Sequence, residues 1–293
     1  MADTVSRRAF VAAAGAGAAG VALAAVLGTN ERPRAERGSH LTAVRRKGRL
    51  PLDDPASEAW LAATPILVPL LAQQIVPPHL EELAVETAEL EALHDGGELG
   101  FRISWDDPER DDVDGLAQFR DAVAVQLPAR AAASPPPITM GAPGAAVHIL
   151  QWRATWERDI GDRAEVEDVY PAAVHDVPPD AILPPETSEL YYPGRAVGNP
   201  LSARVRTTPV EEIVAEGFGS VTALGGQAAR GRGLHEGGRW RVALGFPLAR
   251  GPSGEAIAPG ERWPLAVAVW RGDRGNRGGR KQYADWLELA LEP

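Results

Sequence analysis

The chain has 293 residues, 30 Lys plus Arg against 40 Asp plus Glu, a formal net charge of −10 and no cysteine. The missing thiols exclude disulfides, iron–sulfur ligation, lipoprotein attachment and covalent c-type haem. Residues 1–50 hold nine basic and three acidic side chains, which leaves −16 on the rest, an acidic body that repels nucleic acid and anionic lipid.

In chain order, Ser6, Arg7, Arg8, Ala9, Phe10 and Val11 form a twin-arginine signal, followed by an apolar Ala/Gly-rich run over 10–27. Residues 1–29 are therefore expected to direct export of an already folded protein to the periplasm or another extracytoplasmic space. The run is near the lower length limit of a spanning helix and lacks a clean A-x-A cleavage site, so an uncleaved membrane anchor is the alternative. Residues 30–50 read as a polar, basic spacer, and 51–293 as one domain large enough for a sizeable core.

That domain reads as all-β, a β-sandwich of two antiparallel sheets with short helices in the connecting loops: its apolar segments are short, Val-, Leu-, Ile- and Trp-rich, and bounded by Gly, Pro and Asp turns. Asp95, Gly96 and Gly97 predict a hairpin between 83–93 and 98–105, although the Glu, Ala and Leu content of 81–93 also suits a helix. Further strands are expected at 121–127, 146–156, 239–247, 264–270 and 284–291. Gly237 and Gly238 mark a second hairpin, and 209–216 has the composition of a short helix. Two stretches, 128–145 and 158–208, read as irregular.

Composition singles out two residues. Beyond residue 50 the chain has one methionine, Met140, and one lysine, Lys281. A thioether is a soft metal ligand and a lysine amine becomes one on losing its proton, whereas arginine can do neither. Met140 follows the stiff run Pro135–Pro137 and precedes Gly141, a backbone suited to close approach to a flat cofactor; the alternative is a gap filler under a loop. Lys281 follows the basic turn 273–280 and precedes Tyr283 and Trp286; it is either a desolvated ligand or a solvated loop lysine. The acidic run from Asp106 to Asp114 fails the EF-hand template, with Arg110 at the first ligand position and Asp121 at the twelfth. The six histidines make no zinc spacing and pair with no nucleophile. His148, on one strand face with Leu150 and Trp152, is a packed residue or a reserve axial ligand.

Read together, Leu70–Val76, Leu93–Gly97, Phe101–Pro108, Phe119–Pro128, Met140–Gly141, Val147–Trp152, Glu216–Ser220, Gly237–Val242 and Ala266–Gly272 resemble a known family. It is that of the haem b (gamma) subunits of type II dimethyl-sulfoxide-reductase-family molybdoenzymes, of the ethylbenzene, dimethylsulfide, selenate and chlorate type, and the resemblance spans roughly 55–291. It implies a β-sandwich enclosing one non-covalent haem b with methionine and lysine as axial ligands, here Met140 and Lys281. A basic site at Arg232 matches a lysine position of some relatives, where arginine could not ligate iron. The resemblance further implies a non-catalytic electron-transfer subunit of a heterotrimer with a molybdenum-cofactor catalytic subunit and an iron–sulfur subunit, passing electrons to an external cytochrome or quinone-linked carrier. No nucleic acid partner is expected, and membrane contact only if the signal is uncleaved. Two competing readings are an exported carbohydrate- or small-ligand-binding module, using Trp152, Trp156, Tyr191 and Tyr192, and a stand-alone haem carrier or sensor.

Overall fold

A computed structural model describes residues 35–132, 134–161, 166, 170–173, 184, 187, 190–203, 205–250 and 256–293. The twin-arginine segment and parts of the 158–208 excursion lie outside the described residues. The strands are β1 (Glu36–Arg37), β2 (His40–Arg45), β3 (Ile66–Pro69), β4 (Leu71–Ala72), β5 (Thr87–His94), β6 (Glu98–Asp106), β7 (Ala122–Pro128) and β8 (Val147–Arg153). After the helix α1 (Ala154–Gly161) come β9 (Val210–Ala215), β10 (Thr222–Ala223), β11 (Arg230–His235), β12 (Arg239–Pro247), β13 (Arg262–Trp270), β14 (Gln282–Tyr283) and β15 (Leu287–Leu291).

Turn chemistry makes both expected hairpins. Asp95 Oδ1 accepts from the amides of Gly97 and Glu98, each at 2.8 Å, and closes β5 onto β6. Gly237 and Gly238 both have positive φ, the pair of conformations a two-residue turn needs to match strand twist, and they join β11 to β12. One sheet runs β15-β2-β5-β6-β12-β11, and the other β10-β9-β8-β7-β13 with β14 and β4 beyond. β13 belongs to both: Arg262–Leu265 pair with β15, and Ala266–Trp270 pair with β7.

Inward positions of the two sheets form the core, with Phe101, Ile103, Trp105, Trp240 and Leu244 facing Val123, Val125, Leu150, Trp152 and Val267. Trp152 packs edge-on to Trp240 at 4.8 Å and to Trp105 at 6.4 Å between ring centroids; such pairs add about 0.5–1.5 kcal/mol each beyond the area they bury. One end is tied by buried polar groups. Asp121 accepts from the Trp240 indole (2.9 Å) and from the amides of Asp111 (2.8 Å) and Gly272 (2.9 Å), and Asp107 meets Arg271 at 3.2 Å.

Three expectations need correction. Residues 36–45 are not spacer. β2 lies between β15 and β5, parallel to both, with Leu41 and Ala43 fully buried, so the first sheet is not purely antiparallel. Leu50, Leu52 and Trp60 then cover the outer face of that sheet over Leu93 and Ala243. Residues 210–215 are strand, not helix: paired along β8, the segment buries Glu211 against Arg153 and Glu212 against the Ala228 and Ala229 amides, and these partners outweigh local propensity. The strand expected over 146–156 ends at Arg153, where α1 begins.

Candidate cofactor-binding cavity

The second sheet has a second apolar face, turned away from the core and formed by Ala122, Ala124, Ile149, Ile213, Ala268 and Trp270. Over it stands a cavity of about 420 Å³, within the range of about 300–1,000 Å³ that small-molecule and cofactor sites occupy. Small residues make its floor (Ala124, Ala266, Ala268), and the walls come from loops around 73–77, 138–140, 218–221 and 278–284. The cavity therefore lies outside the sandwich, against one sheet, and not between the two sheets as the resemblance implied.

Met140 and Lys281, 141 positions apart in sequence, both line this cavity. Met140 is half-buried against the apolar face and has φ +70°, and Gly141 follows at φ +79°. The double left-handed step is closed by the Gly141 amide donating to Pro137 O at 2.9 Å and the Gly217 amide donating to Met140 O at 2.8 Å. A side chain at 141 would strike Ala145 O. A left-handed methionine costs roughly 1–3 kcal/mol, and such strain persists where surrounding contacts impose it, often at functional sites.

Lys281 directly precedes β14. Its Nζ stands 5.3 Å from the centroid of the Trp270 ring, and burial alone pulls its amine down to about 8. No carboxylate lies within ion-pairing distance of it among the described residues. The two candidate ligands are also linked through their loops: Trp286 Nε1, just past β14, donates to Pro136 O at 3.0 Å, ahead of Met140.

Polar cavity residues that sequence reading missed are Gln73, Gln126, Gln151 and Arg153. On β8, Ile149, Gln151 and Arg153 share one face by alternation, a pattern visible in sequence once that face is known to be covered. Arg153 is buried, paired with Glu211 and bonded to Gln151 at 2.9 Å; burial lowers its guanidinium to about 10, so it stays charged at neutral pH.

His148 has the opposite parity to Ile149 on β8. It is buried 3.5 Å from Glu212, edge-on to Phe246, and does not line the cavity, so it is not a reserve ligand there. Arg232 lies on β11 near Glu157 at 3.8 Å, also away from the cavity. The sugar-binding reading loses two of its aromatic residues, because Trp152 is in the core and Trp156 is sandwiched between Arg153 and Arg206. Among the described residues no three His, Asp or Glu side chains converge on a metal position. The donor set that the cavity does offer, one thioether and one desolvated amine above an apolar floor of alanines, suits a flat apolar metallocofactor better than a hydrated ion.

The ethylbenzene dehydrogenase family matches residues 57–172, a stretch that contains Met140 but not Lys281. A Haloferax mediterranei protein described as a respiratory nitrate reductase heme subunit, ORF7, is 24% identical over 241 residues, covering 82% of this chain and 68% of that protein. Chlorate reductase subunit gamma of Ideonella dechloratans is 24% identical over 285 residues, covering 95% and 92%. A family 9 carbohydrate-binding module from Caldicellulosiruptor kristjanssonii, solved with glucose, aligns at TM-score 0.37 and 8% identity over 86% of this chain and 95% of that one.

Proposed function

We propose that this chain, a relative of the haem-bearing gamma subunits of type II dimethyl-sulfoxide-reductase-family molybdoenzymes, holds one non-covalent haem b through Met140 and Lys281 and acts as an electron relay. It is a non-catalytic electron-transfer subunit. The observation that carries the reading is the meeting, in one apolar cavity, of the single methionine and single lysine present beyond residue 50. When bound, the haem would supply one-electron chemistry, with Met140 and Lys281 the residues that would hold its iron, and a thioether ligand would favour the ferrous state.

The rest is done by the chain. The Pro137–Gly141 turn fixes the thioether against the apolar floor. Burial of Lys281 lowers the cost of releasing its proton, as a ligating amine must. The floor excludes water from one face, and Arg153 provides a fixed positive charge at the cavity wall.

Association with a catalytic and an iron–sulfur subunit is part of this reading, supported by two relatives that bear the names of reductase subunits. The finer steps belong to this proposal: entry of electrons from the iron–sulfur partner, exit to an external cytochrome or quinone-linked carrier, and an extracytoplasmic location reached by the twin-arginine route, with membrane contact only if the signal is retained.

The test is spectroscopic. The full chain produced with haem should show a reducible low-spin spectrum, and Met140→Ala or Lys281→Ala should lose haem or turn it high-spin and five-coordinate. A colourless wild-type protein would refute the reading, and an unaltered low-spin spectrum in either variant would clear that residue. Co-purification of molybdenum and iron–sulfur subunits distinguishes a complex from a solitary haem carrier.

A further inference from the structure

Gln73 lies inside the segment LLAQQIV (70–76), one of the stretches that carry the family resemblance, and the ligand roles above leave it without a task. It is 4% exposed and bonded at every polar atom. Its amide Nε2 donates to Val76 O at 2.7 Å, to Gly279 O at 2.8 Å and more loosely to Pro78 O at 3.4 Å, and its Oε1 accepts from the amides of Ile75 and Val76 at 2.7 Å each. Its backbone amide donates to Lys281 O at 3.0 Å. A glutamine amide offers two donors and two acceptor sites, and here all are used.

We propose that Gln73 is the positioning residue for Lys281, its side chain and backbone together clamping the 278–281 loop so that the lysine amine is presented to the cavity. The inference rests on the haem reading above. Three observations carry it. The loop has little stiffness of its own, since two of its four residues are Gly278 and Gly279 and the first has positive φ. Among the described residues the lysine side chain has no ion pair to aim it, and its Nζ stands over the Trp270 ring. Its direction is therefore set by its backbone, which is held by Gln73, by the Trp270 indole donating to Gly278 O at 3.0 Å, and by Gln282, whose Nε2 donates to Val269 O at 3.1 Å and Asn276 Oδ1 at 2.8 Å. A long flexible amine keeps a ligand position only when its attachment is fixed, and groups that orient ligands commonly matter almost as much as the ligands.

Two variants separate the parts of the clamp. Gln73→Leu removes all five side-chain bonds at similar volume. Gln73→Glu keeps the acceptor that takes the Ile75 and Val76 amides and removes the donors to Val76 O, Pro78 O and Gly279 O. Each full-length variant is loaded with haem beside wild type and Lys281→Ala, and the ferric spin state is read by absorption and electron paramagnetic resonance. Amide exchange of residues 278–281 is followed in the cofactor-free chain.

Both variants should raise the high-spin to low-spin ratio by about tenfold, toward the Lys281→Ala spectrum, and should speed exchange at 279–281. If Gln73→Leu fails to fold, Gln73→Glu decides. Unchanged low-spin spectra in the folded variants, with Lys281→Ala high-spin, overturn the role of Gln73 alone. A Lys281→Ala protein that stays low-spin, or a wild type that binds no haem, overturns the haem reading and this inference with it.

Discussion

Met140 combines an unusual backbone with an unusual side chain, and the two can be separated by substitution. At φ +70° a glycine is relaxed and an alanine is not. In the cofactor-free chain, Met140→Gly is therefore expected to be more stable than Met140→Ala by about 1 kcal/mol, measured by urea denaturation, although both lose the thioether. Equal stabilities would mean that the loop relaxes freely and stores no strain. Met140 and Lys281 were legible in the sequence because the composition is so depleted in their residue types. Gln73 and Arg153 were not, since a polar residue beside apolar ones reads as solvent-facing until the loops covering that sheet face are known.

Among the elements, β2 departs furthest from its sequence reading. Its six residues, HLTAVR, sit in a basic stretch and look like linker. Yet Leu41 and Ala43 are buried, and β2 joins β15 to β5 by parallel pairing, which no local turn signal can announce. A chain begun at residue 51, the domain start that composition suggests, would leave facing edges of β15 and β5 unpaired. It is expected to be insoluble or to lose cooperative unfolding, while a chain begun at residue 35 melts as the full protein does; circular dichroism melts compare the two. The hairpins β5–β6 and β11–β12 were readable because Asp-Gly and Gly-Gly turns are local chemistry. β9 was not, because its consecutive glutamates find buried partners, Arg153 and the Ala228 and Ala229 amides, far away in sequence.

At the scale of the whole molecule, the sandwich is cross-tied at one end by Asp107 and Asp121. Burial pushes both carboxyls up, to about 6 and about 7, from an ordinary value of about 3.9. The folded chain then holds protons that the unfolded chain has already released, so stability is greatest below about pH 4 for these groups and falls as pH rises through 6 and 7. Urea midpoints should drop between pH 5 and pH 8 by this contribution, and Asp107→Asn should flatten the slope; a variant with the wild-type slope would remove the pair as its source. The two-layer architecture was legible from strand spacing and turns. The location of the cavity was not, because alternation in β7, β8 and β13 marks an inward face but does not reveal that the outward face is also apolar and roofed by loops. That placement has a practical consequence for assembly. If the proposed pigment sits there, its entry and exit need not disturb the tryptophan-packed interior, so the empty protein should be a finished scaffold, and unfolding and bleaching should be separable events.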